Sequence, residues 1–143
     1  MTFIRSALAL ALSLSAGASF AQSSNAGLAS TGLVATPSPI TFTGRGGLYY
    51  PKTVTVTNYG PGFASNLAVT MPKNYGTIGD VMITGDTCTG ATLAVGGTCQ
   101  VKLGFDAGCP KAGSVGYTLT ITSTSMATLY DTVTANTQTG ICQ

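Results

Sequence analysis

The sequence predicts an all-β fold, an antiparallel sandwich or barrel of seven or eight short strands. Three observations predict it: apolar and hydroxyl side chains alternate along successive segments, prolines and glycines punctuate them, and no apolar stripe of helical period appears after residue 21. Alternation of period two describes strands with one face in a core and the other in water.

The elements follow in chain order. Residues 1–21 read as an export signal. Arg5 supplies the positive start, Ala7 to Ala16 an apolar run, and Ser19-Phe20-Ala21 the small residues that signal peptidase reads, so cleavage is expected before Gln22. That run is shorter than the roughly 20 apolar residues a bilayer demands. No transmembrane anchor is expected in the mature chain, which should be periplasmic or extracellular. About 120 residues then remain, the size of one domain.

Residues 22–38 form a small, polar, glycine-containing lead closed by Pro37 and Pro39, with a possible edge strand near Leu33 and Val34; the sandwich proper is expected over 39–143. In the run from Lys52 to Asn58, Val54 and Val56 face one way and threonines the other. Leu67, Val69 and Met71 repeat the pattern, as do Val101, Leu103 and Phe105, then Tyr117, Leu119 and Ile121 against Thr118, Thr120 and Thr122. Leu129 and Val133 continue it. Pro51, Pro61, Pro72 and Pro110 are expected outside the strands, where a missing N–H costs no ladder bond. Gly96-Gly97 reads as a two-residue hairpin-like turn between two strands.

Charge is sparse and scattered. Without Arg5, the bases are Arg45, Lys52, Lys73, Lys102 and Lys111, set against Asp80, Asp86, Asp106 and Asp131. No basic patch exists to neutralise a phosphate backbone, so nucleic acid is not an expected partner. Histidine, glutamate and tryptophan are absent. Without histidine or a Gly-x-Ser-x-Gly turn, no nucleophile–base pair is legible, and the chain is not expected to be an enzyme or to carry a cofactor. Asp80 and Asp86 flank a short strand and lack the dense oxygen spacing of a calcium loop, so no metal site is expected.

Four cysteines, Cys88, Cys99, Cys109 and Cys142, fit a disulfide framework in an exported chain. With no Cys-x-x-Cys pair, zinc is a poor alternative. Several connectivities are open. Cys88–Cys99 is favoured because the Gly96-Gly97 turn folds the chain back between them and Cys99 shares the parity of Val101, leaving Cys109–Cys142. One covalent alternative is a Lys–Asn isopeptide bond from Lys52 or Lys102 to Asn58, although both lysines read as solvated, with Lys52 placed just ahead of a strand. Tyr49, Tyr50, Tyr59, Phe63 and Tyr75 sit in or near expected loops and form a candidate binding surface if several share one end of the sandwich.

The stretch from Ile40 to Thr43, followed by Thr53 to Gly60, resembles the opening strands of bacterial choice-of-anchor D domains, within the Hydin-like and major-sperm-protein-like immunoglobulin folds. The segment from Cys88 to Cys99, continuing through Phe105, is similar to that family's cysteine, leucine, glycine, cysteine and alternating-strand signature, and Tyr117 to Ser123 looks like its penultimate strand. Val56 to Pro72 also resembles the Asn-x-Gly-Pro segment of repeated immunoglobulin-like domains on bacterial surfaces. Cys109 and Cys142 are additions to the family pattern. The resemblance implies an immunoglobulin-like β-sandwich with no catalytic site and an envelope or surface role. On that basis the expected partner is another envelope or extracellular protein. Self-association by strand exchange through Gln22 to Ala35, or glycan binding through the tyrosines, are the alternatives.

Overall fold

A computed structural model describes residues 32–108 and 111–139. The signal-peptide reading, most of the lead, Pro110, Cys109 and Cys142 lie outside those residues. Nine strands are present among the described residues: β1 (Leu33–Thr36), β2 (Ile40–Arg45), β3 (Tyr49–Asn58), β4 (Ala68–Thr70), β5 (Lys73–Tyr75), β6 (Asp80–Asp86), β7 (Thr98–Asp106), β8 (Gly113–Thr122) and β9 (Leu129–Gln138). One sheet has the order β1-β3-β7-β6; the other runs β2-β9-β8-β4, with β5 also on β8.

Prolines account for the strand count exceeding seven or eight. Pro37 and Pro39 end β1 and let the chain cross to the other sheet as β2, and Pro72 divides β4 from β5. The same crossing introduces one parallel pair into an otherwise antiparallel fold. Chain direction is kept while the sheet changes, so β2 lies parallel to β9, with Ile40 opposite Val133 and Phe42 opposite Ala135. The strand anticipated near Leu33 is β1, an edge strand whose Leu33 and Ala35 belong to the core.

The alternating residues meet between the sheets. Val54, Val56, Val101, Leu103 and Phe105 face Ile40, Phe42, Leu119, Ile121 and Val133, all buried. Phe42 and Phe105 span the gap with ring centroids 5.8 Å apart. Each such aliphatic or aromatic side chain contributes about 1.5–3 kcal/mol by leaving water. Most strand threonines take the opposite parity, toward solvent; Thr137 is buried and donates to the Ala107 carbonyl.

Two positions differ from expectation. Pro51 and Lys52 lie inside β3. This is tolerated because β1 pairs only with Thr55 to Asn58, so β3 has an open side from Tyr49 onward. Gly96-Gly97 does make a turn, with Gly96 at φ +78° and its N–H donated to the Asn58 carbonyl, but the segment before it forms only an isolated bridge between Leu93 and Ala64.

Candidate functional site

Polar chemistry in this fold concentrates at four places, each set by a strand end or edge. The first is the corner where β6 turns toward β7. Asp86 ends β6 and accepts from the backbone N–H of Cys88 at 2.6 Å and from the N–H and hydroxyl of Thr89, an Asx turn that aims Cys88 inward. Cys88 and Cys99 are disulfide-bonded, with Cα atoms 5.0 Å apart, as the parity argument anticipates. Beside them Asn58 is fully buried. Its amide donates to the carbonyls of Gly62 (2.8 Å) and Leu93 (3.0 Å), and its Oδ1 accepts from Gly60 N–H (2.9 Å).

That use of Asn58 removes the isopeptide alternative. Its amide closes the Tyr59–Gly62 turn, while the Lys52 ammonium bonds the Thr41 carbonyl across the sheets. Asn58 lies six positions beyond Lys52 along β3, roughly 20 Å away. Lys102 lies on β7 with its side chain exposed, facing away from the core.

The second place joins β5, β6 and β8. Lys73 and Asp80 form an ion pair at 2.7 Å, and the Tyr117 hydroxyl donates to the same Asp80 oxygen at 2.7 Å while accepting from Val81 N–H. The hydrogen bond from Lys73, then that from Tyr117, holds the Asp80 carboxyl below its usual range. Burial, then the Asp80 bond, pushes the Tyr117 phenol up. Asp80 and Asp86 are the first and last residues of β6, as the sequence suggests. Register places Asp106 opposite Asp80, yet Asp106 accepts from Gly108 N–H instead, so the two carboxylates have separate structural partners. Among the described residues no three metal-ligating side chains converge.

The third place is Asp131, on the inward parity of Leu129 and Val133. Its Oδ1 accepts from the Ser38 hydroxyl (3.0 Å) and Thr132 N–H (2.8 Å), and its Oδ2 is buried without a partner. Burial raises its pKa, and the two hydrogen bonds only partly offset that. Shared parity with two core residues was the sequence signal for this group.

The aromatics make the fourth. Tyr49 and Tyr50 lie in β3 and Tyr75 in β5, not in loops; Tyr59 and Phe63 follow the far end of β3. The five are therefore divided between the two ends of the sandwich. Tyr49, Tyr50 and Tyr75 share a device: each ring occupies the space a side chain would fill at Gly104, Gly44 and Gly116 respectively. Tyr50 also stacks on Phe105, with centroids 6.2 Å apart, and its hydroxyl accepts from Arg45 N–H. Tyr50 is therefore a lid on the core.

No known family model matches the chain, and no curated protein does. Solved structures do match. A PapD-like domain of human CEP192 aligns with a TM-score of 0.51 and 12% identity over 78% of this chain and 89% of that domain. The fold is immunoglobulin-like. The secreted serine protease VesC from Vibrio cholerae aligns with a TM-score of 0.53 and 20% identity over 75% of this chain, and VesB protease of Vibrio cholerae with 0.50 and 20% over 76%. This immunoglobulin-like sandwich spans only 23% of the VesC chain and 32% of the VesB chain. At these identities the likeness concerns the fold.

Proposed function

We propose that the chain is an exported, non-catalytic immunoglobulin-like module of the choice-of-anchor D kind, which docks another envelope or extracellular protein along the free edge of β6. The observation that carries this is the edge itself. Among the described residues β6 pairs on one side only, with β7, and leaves Met82 and Ile83 at 45% and 36% exposure. An edge strand with apolar side chains is a template for an added strand, main-chain bonds giving affinity and side chains giving choice of partner. On the other side of the sheet, the part of β3 that β1 leaves uncovered is guarded, because Lys52 reaches from it to β2. Export is supported by the Cys88–Cys99 disulfide, which an oxidising compartment allows, and by the leader read in residues 1–21. No helix among the described residues is long and apolar enough to cross a membrane. Fibre formation by strand exchange would need a vacant strand position. In the described residues β9 fills the place between β2 and β8, and both sheets are continuous.

A photo-crosslinking residue placed at Met82 in the exported protein tests the reading. One discrete heavier species is expected, absent when the probe sits at Val95 on a distant exposed loop. No adduct at Met82, or the same adducts from both positions, overturns it.

A further inference from the structure

The outer face of the five-stranded sheet differs in chemistry from the outer face of its partner. Its outward positions include Thr41 on β2, Thr132 and Thr134 on β9, Thr118 and Thr120 on β8, and Thr70 on β4. Register sets them side by side: Thr118 faces Thr132, and Thr120 lies between Tyr130 and Thr70. Two tyrosines stand over this hydroxyl floor. Tyr75 is 52% exposed and its ring covers Gly116; Tyr130, on β9 opposite Thr120, is 54% exposed. From Gly116 to Thr120 is four strand residues, so with one strand of sideways offset the tyrosines stand about 14 Å apart.

We propose that this face binds a neutral polysaccharide chain, laid along the strands between Tyr75 and Tyr130. Sugar rings present C–H faces that pack on aromatic rings, and hydroxyl edges that exchange hydrogen bonds with groups able both to donate and to accept, as threonine does. The Tyr75 platform is pre-organised. Gly116 leaves its ring a seat, and the adjacent Asn74 is fixed by a 2.8 Å hydrogen bond to Thr118 Oγ1.

Charge selects the ligand class. Arg45, at the last position of β2, is the one charged residue on the described strands of this face, and the nearby Lys73 and Asp80 are paired with each other. The opposite sheet carries Lys102 and Asp106 on its outer side. An anionic glycan or a nucleic acid would find no cluster of cations here. A protein partner would find no continuous apolar centre. This site is separate from the β6 edge and does not rest on the docking proposed there.

Native electrophoresis of the full chain through gels containing hydroxyethyl cellulose, glucomannan or xylan tests the proposal, with alginate as the anionic comparison. Retardation by at least one neutral polymer is expected. Tyr75→Ala and Tyr130→Ala should each weaken it about three- to tenfold, the worth of one aromatic contact. Gly116→Val, which keeps both tyrosines but takes the seat of the Tyr75 ring, should weaken it comparably, and Tyr49→Ala, whose ring covers Gly104 on the outer face of the opposite sheet, should leave it unchanged. Should Tyr75→Ala not melt cooperatively, Tyr75→Leu keeps Gly116 covered and takes its place. The proposal is overturned if no neutral polymer slows the protein, if alginate alone does, or if the folded double variant at Tyr75 and Tyr130 is retained as strongly as the parent.

Discussion

Asp131 and Asp80 are the two carboxylates whose surroundings move them in opposite directions. Asp131 is desolvated, so its folded-state pKa exceeds the unfolded value and the folded protein holds that proton more tightly. Its contribution is most favourable at pH below the unfolded carboxylate range and is lost as pH rises through the raised folded pKa. Asp131→Asn is therefore expected to raise the Tm by a few degrees at pH 7 and to change it little near pH 3, as thermal melts across that range will read. A neutral-pH loss of stability in Asp131→Asn would contradict the desolvation argument. Asp80 has the reverse sign. Its depressed pKa gives stability that is present at neutral pH and lost as pH falls through the folded value. The pair is largely solvated, so Asp80→Asn should cost under about 1 kcal/mol. Asn58 is a stronger determinant. Asn58→Ala removes three hydrogen bonds, two of them buried, and takes the acceptor from Gly60 N–H, an expected loss of about 2–4 kcal/mol in urea unfolding.

At the scale of strands, the question is how an open sandwich avoids pairing with itself. The Lys52 side chain sits on the inward parity of Val54, passes within 5.1 Å of the Phe42 ring centroid, and ends on the Thr41 carbonyl. A charge turned inward at an open edge resists addition of a further strand there. Lys52→Val is expected to keep the fold but to add dimer and larger species in sedimentation velocity; an unchanged monomer fraction would remove the edge-guard role. The three tyrosine–glycine pairs are a second device. A glycine in a strand offers no side chain to pack, and a neighbouring aromatic covers it. Gly44→Val would displace the Tyr50 ring from Phe105, so it should destabilise far more than Thr43→Val on the solvent face, by about 1–3 kcal/mol as an overpacking change.

For the whole molecule, one core between two sheets has few charges to help it, and the disulfide closes the β6–β7 corner. Its loop is short, and the chain-entropy relation gives about 3 kcal/mol, a large share of the roughly 5–15 kcal/mol that holds a domain together. A Cys88→Ala/Cys99→Ala variant should lose about that much in denaturant unfolding. Non-reducing peptide maps should show Cys88 linked to Cys99 and, from the cysteine count, Cys109 to Cys142. With four of the seven strand pairs among the described residues (β2–β9, β3–β7, β4–β8 and β5–β8) joining strands distant in sequence, folding is expected in milliseconds to seconds, measurable by stopped-flow fluorescence.

The chain alone determined which side chains enter the core, because a strand's period of two assigns each residue to a face before any partner is chosen. Val54, Val101, Leu119 and Val133 were legible for that reason, and so was the Cys88–Cys99 pair, whose ends are brought together by a local turn. Even the prolines that split β1 from β2 and β4 from β5 were visible, though not what they divide. Tertiary structure decided whatever depends on which strands become neighbours. It placed β2 parallel to β9, set tyrosines over Gly44, Gly104 and Gly116, turned Asn58 into a buried clasp, left Asp131 half-paired, and gathered Tyr75 and Tyr130 onto one sparsely charged face. Those juxtapositions join residues tens of positions apart, and alternation along a strand carries no information about register between strands.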